Sequence, residues 1–117
     1  MTDTIIISSD RIGADTEVLT LDGKCDLLAA VAAERRIVSA LAAGANHIIF
    51  DLRGVTSFSA PMLHMLFRGL MQVGAENGRL VLVRPNASVW GLFEQNGMDR
   101  GFASTPDLKG ALVEAAA

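Results

Sequence analysis

The sequence predicts an α/β domain: a mixed, mostly parallel sheet of about four or five strands with an N-terminal hairpin and about four helices. Three observations carry this. Ile48-Ile49-Phe50 and Leu80-Val81-Leu82-Val83 are apolar runs without polar alternation, as expected of strands covered on both faces. Segments with helical spacing separate them. The first twenty residues hold two short apolar runs around a glycine turn, the pattern of a hairpin. Helices on both faces of the sheet would give the central strands their cover.

In chain order, Thr4 to Ser8 is expected as a first strand around Ile5-Ile6-Ile7, and Arg11 to Asp15 as a turn. Glu17 to Leu21 returns as the second strand and ends at Asp22-Gly23. Asp26 supplies an acceptor for the first free N–H groups of a helix from about Leu27 to Ala43. Val31, Ile37, Val38 and Leu41 give that alanine-rich helix its apolar side, and Gly44 closes it. The central strand from Ile48 is expected to break at Gly54. Thr56, Ser57 and Ser59 then form a polar loop. Pro61 suits a first helical position, because its φ is already helical and its missing N–H has no partner to lose. A residue before proline is pushed out of the helical region, which places Ala60 at the cap.

On the helix from Pro61, a step of about 100° per residue puts Leu63, Leu66, Phe67, Leu70 and Val73 on the core face. His64, Arg68 and Gln72 fall opposite, and Met62, Met65 and Gly69 share a flank. Arg79 to Val83 is a strand. A short helix runs from about Ser88 to Gln95 with Val89, Leu92 and Phe93 inward. Phe102-Ala103 is an edge strand. Thr105 caps a last helix from Pro106 to Ala115, which packs through Leu108 and Leu112.

At 117 residues the chain is read as one domain, 1–117. The net charge is −3 and no basic stripe appears, which argues against a nucleic-acid partner. The single cysteine, Cys25, leaves no internal disulfide and fits a reducing, cytoplasmic setting. The start has no signal-peptide pattern. No apolar run approaches the ~20 residues a membrane helix needs, so no direct membrane insertion is expected.

Enzyme patterns are weak. Asp51, Ser59 and His64 are the residue types of a hydrolase triad, but no G-x-S-x-G turn accompanies them. His64 falls on the solvent side of its helix. His47, His64 and Cys25 have no metal-ligand spacing, and the glycines match no phosphate-binding loop. Asp51 at a strand end lacks the acidic pair and lysine of a receiver-type phosphoacceptor. No catalytic residue, metal or cofactor is expected. What stands out is a row of hydroxyls leading into a helix. Helix starts favour anions, so a hydroxyl there suits a phosphorylation switch. Met62 and Met65 on the flank would be adaptable contact area.

The chain resembles the STAS domain family, in particular the stand-alone bacterial anti-sigma factor antagonists. Gly23-Lys24-Cys25-Asp26 resembles that family's G-x-[LIV]-D after the second strand. Ile48 to Val55 resembles its apolar strand followed by D-L-x-x-V. Gly78 to Val83 and Leu92 to Asp99 resemble its later strand and its short helix ending in G-[LM]-D. The resemblance implies the STAS fold, no enzymatic activity and partner switching. The unphosphorylated domain would bind an anti-sigma factor, usually a GHKL-type serine kinase, and so release a sigma factor. Phosphorylation of a Ser or Thr at the helix start would end the interaction.

The chain departs from the family at that motif. Where the family reads D-S-[ST]-G-L, this chain reads Ser59-Ala60-Pro61-Met62-Leu63. Pro61 takes the phosphoacceptor's place and carries no hydroxyl. Three readings are open. One is an antagonist that is not switched off at the usual position. Another is a STAS subunit docking in an ABC lipid-transport complex or a stressosome. The third is a switch shifted to Ser59, Ser57 or Thr56. The partner-binding residues expected are Asp26, Ser57, Ser59, Ala60, Met62, His64, Met65 and Arg68, with a homodimer as a further association.

Overall fold

The structure, a computed structural model, describes residues 5–116. Strand β1 (Ile6–Ile12) turns at Gly13 into β2 (Thr16–Cys25), the expected hairpin. Helix α1 (Leu27–Ala42) leads to β3 (His47–Phe58), α2 (Ala60–Ala75) to β4 (Leu80–Val83), and α3 (Ala87–Gln95) to β5 (Ala103–Thr105); α4 (Leu108–Ala116) follows. The five strands lie in the order β1-β2-β3-β4-β5, antiparallel only between β1 and β2.

That order fixes the layers. Three successive crossovers step in the same direction, and crossovers of one hand must place α1, α2 and α3 on the same face. The larger core is there: Leu19, Leu21, Ile48, Phe50 and Leu82 of the sheet meet Ala33, Ile37, Met62, Met65 and Phe93 of the helices. Helix α4 returns across the other face, where Ala111 and Ala115 cover Val18, Ile49, Val81 and Val83. Alternate residues of β3 therefore feed different cores, which is why the sequence of this strand shows no polar alternation.

Several boundaries differ from the sequence reading. Strand β1 runs on to Ile12, while Thr4, the expected start, lies outside the described residues. Neither Gly23 nor Gly54 ends its strand. Strands β2 and β3 stay paired through two register shifts as far as Cys25 and Phe58. The expected polar loop at Thr56 and Ser57 is thus strand. Glycine is required at 54 because the Asp22 carboxylate occupies the space a Cβ would take.

The phases of α1 and α2 are also corrected. Helix α1 buries Ala29, Ala30, Ala33, Ile37 and Ala40, whereas Val31 and Val38 are exposed. Helix α2 buries Met62, Leu63, Met65, Leu66, Gly69 and Val73, whereas Phe67 is 48% exposed. The cause is a close approach of the two helices. The Ile37 side chain of α1 packs onto Gly69, where an added Cβ would stand 2.8 Å from Ile37 Cδ1. The contact turns the Met65–Gly69 side inward and Phe67 out. Helix α4 is capped by Asp107, whose Oδ1 accepts from Gly110 N at 2.7 Å, and not by Thr105.

Candidate protein-binding site at the start of α2

Strands β2 and β3 end side by side, and the candidate residues collect at that end of the sheet. Asp26 follows β2 directly and caps α1, its Oδ1 accepting from Ala29 N at 3.1 Å. Ser59 N donates to Cys25 O at 2.9 Å, which ties the start of α2 to the end of β2. Asn86 Nδ2 donates to Val55 O at 3.4 Å and brings the start of α3 to the same end. The structure therefore gathers Asp26, Thr56, Ser57, Ser59 and Ala60 at one place.

Helix α2 begins one residue earlier than the sequence suggests. Ala60 is helical and Ser59 is the cap, with extended backbone (φ −99, ψ 163). The Ser59 carbonyl accepts from Met62 N and Leu63 N at 3.1 and 3.2 Å. Its hydroxyl makes no capping bond; it is buried and has no hydrogen-bond partner. Pro61 stands in the first turn, where no donor is lost. Ala60 is exposed and Pro61 half-buried, so the first turn presents a methyl group and part of a proline ring to solvent.

Down the helix, His64 and Arg68 are exposed, as the spacing predicts. With Phe67 and Met98 they line a shallow, mostly apolar hollow of about 460 Å³. Phe67 meets Phe102 edge-on, with ring centroids 6.5 Å apart. Arg68 Nε bonds Glu34 Oε2 of α1 at 3.0 Å, which holds it across the two helices. The outer faces of α1 and α2 carry further apolar side chains, among them Leu27, Leu28, Val31, Val38 and Met71.

Met62 and Met65 are fully buried, with 0% exposure, and supply no surface. Phe67, Met71 and Met98 were missed by the sequence reading. Gly69 carried the signal for Phe67 and Met71: a glycine inside a helix is often there for close packing, so its face turns inward and they turn out.

Asp51 and His64 are not brought together. Asp51 pairs in register with Val83 and so stands on the α4 side of the sheet, while α2 lies on the other. Asp51 accepts from Arg53 Nε, Nη2 and N at 2.9, 2.7 and 3.2 Å. Burial pushes its pKa up, but the hydrogen bonds and charge of Arg53 outweigh this and hold it below the usual carboxylate value. The Cys25 thiol is pushed up to about 12, by burial first and then by the Asp26 charge, so it is a protonated apolar group at neutral pH. Among the described residues no group of three or more His, Cys, Asp or Glu side chains is placed to hold a metal ion. No described helix is long and apolar enough to cross a membrane.

The fold has known counterparts. An anti-sigma factor antagonist from Mycobacterium paratuberculosis superposes with a TM-score of 0.86 at 22% identity, over 100% of this chain and 98% of that one. The anti-sigma factor antagonist SpoIIAA in its unphosphorylated form gives 0.80 at 18% identity, over 92% and 93% of the two chains. A protein of Thermotoga maritima described as an anti-sigma factor antagonist gives 0.80 at 20% identity over 95% of each chain. No curated protein has a sequence that matches the chain. The family model described as "Mlab, STAS domain" matches residues 8–115, from β1 into α4. Nearly every element described above lies inside that match, and the chain belongs to the STAS domain family.

Proposed function

We propose that this domain is a non-enzymatic regulator that binds an anti-sigma factor, of the GHKL serine kinase type, through the start and outer face of α2. The observation that carries the reading is the exposed Ala60 and half-buried Pro61 at the start of α2, beside the apolar hollow at His64, Phe67, Arg68 and Met98. Solved structures described as anti-sigma factor antagonists share the fold. The contact face comprises Asp26, Ser57, Ser59, Ala60, His64 and Arg68, and Phe67 replaces the buried methionines as its apolar anchor.

In this reading the partner's kinase activity finds no acceptor at Pro61. The domain stays bound where a phosphorylatable relative would be released. The charge and bulk that phosphorylation adds at a helix start are the usual means of ending such a contact, and proline offers no oxygen to carry them.

The test is titration calorimetry against the GHKL-type kinases of the source organism, with wild type and Phe67→Asp. Binding by wild type, lost in a variant that is still folded and unfolds cooperatively above the assay temperature, supports the face. No binding by any of these kinases points instead to a STAS subunit docked in a transporter or stressosome. Intact mass after incubation with kinase and ATP reads the second half of the proposal. An unchanged mass is expected. A phosphate on Ser59, Ser57 or Thr56 would establish a shifted switch in its place.

A further inference from the structure

Strand β1 is seven residues long and has one neighbour, β2, among the described residues. Its outer edge leaves the N–H and C=O groups of alternate residues without strand partners. Two of its side chains, Ile6 and Ile12, are large, apolar and exposed, at the two ends of the strand. The other edge of the sheet, β5, is only three residues long.

The side chains of β1 sort by face. Asp10 pairs with Val18, which belongs to the core under α4, so Ile6, Ser8, Asp10 and Ile12 stand on that side of the sheet. That core takes Val18 from β2 and nothing from β1, so this side of β1 is uncovered. Ile7, Ser9 and Arg11 stand on the other side.

We infer that β1 pairs antiparallel with β1 of a second copy of this chain, about a two-fold axis at Ser9, to give a closed dimer with one continuous sheet.

The register follows from the residues. A two-fold axis perpendicular to the sheet keeps each side chain on its own face, so only residues of the same parity can lie opposite one another. Centred on Ser9, the whole strand pairs. Ile6 lies opposite Ile12 of the second copy, twice by symmetry, and Ser8 lies opposite Asp10. Centred on Asp10 or Arg11, like charges face each other, which is unfavourable. Centred on Ser8, Ile6 meets Asp10 and Ile12 loses its partner. Only the Ser9 register joins the two exposed isoleucines and opposes no like charges. The contact is isologous and consumes the long edge of both copies, so it closes at two chains and does not propagate.

Cysteine cross-linking tests the register, and wild type is its own control because Cys25 is buried. Directly opposed strand residues have Cα atoms about 4.5–5.5 Å apart, within disulfide reach, whereas residues displaced by two positions are about 7–8 Å apart. Mild oxidation should link Ser9→Cys as a dimer, leave wild type unlinked and link Asp10→Cys far more slowly. Light scattering of wild type should give twice the 12.4 kDa chain mass. Ile12→Lys should weaken the dimer roughly tenfold, as expected when two symmetric apolar pairs are lost, with its melting temperature as monomer unchanged. A wild-type mass of one chain at the highest attainable concentration would overturn the dimer. Equal or faster linking through Asp10→Cys, or no linking through Ser9→Cys, would overturn the register.

Discussion

Ser59 has a buried hydroxyl that bonds to nothing, at a position where a serine side chain normally caps its helix. An unmade capping bond cannot be lost, so the usual cost of replacing a cap residue by alanine does not apply. Ser59→Ala should be neutral or should stabilise by up to about 1 kcal/mol, because it removes a desolvated group without a partner. Urea unfolding of the two proteins measures this, and a loss of stability would mean that the hydroxyl is satisfied in solution. Asp51 is the opposite case, a buried carboxylate that Arg53 satisfies fully. Its folded pKa lies below its unfolded value, so its contribution is present above the ordinary aspartate pKa and is lost as pH falls through the depressed one. Asp51→Asn should therefore flatten the fall of the urea midpoint as the pH drops below the ordinary aspartate pKa. An unchanged acid limb would assign that fall to other carboxylates.

At the scale of the element, α2 shows what its sequence disclosed and what it hid. Its existence, its proline start and its exposed His64 and Arg68 were legible from local residue types and spacing. Its phase was not. Phe67 is the more hydrophobic choice for a core, and a moment drawn from hydrophobicity alone turns it inward. The position of α2 is set instead by where another helix can come close, which Gly69 permits by leaving room for Ile37 of α1. The same blindness affected β3, whose hydroxyl-rich end reads as loop until β2 is seen beside it. Met65→Ala should then cost about 2–5 kcal/mol, the range for emptying a fully buried site. Phe67→Ala should cost less, because Phe67 is half exposed and loses an edge-on aromatic pair and only part of its apolar burial. Thermal melts of both variants check the order, and the reverse order would restore the phase read from the sequence.

Across the whole molecule, cover is uneven. Strand β3 has strands on both sides and helices on both faces, while β1 has, among the described residues, one neighbour strand and a side uncovered by α4. Local opening costs least where few contacts must break. Native-state hydrogen exchange should find the slowest amides in Ile48 to Leu52 and Leu80 to Val83, and faster exchange along Ile6 to Ile12. Below the dimer's dissociation constant the contrast should be largest, because β1 then has β2 alone. Uniform protection across the sheet would contradict this distribution.

The placement of α4 also bears on how the chain is made. All five strands precede this helix in the order of synthesis. A growing chain can assemble the sheet and the three-helix side while Val18, Ile49, Val81 and Val83 still face water. The strip stays open until Leu108–Ala116 has left the ribosome, so a nascent chain stalled before that point would offer a chaperone an apolar stripe on an otherwise finished sheet.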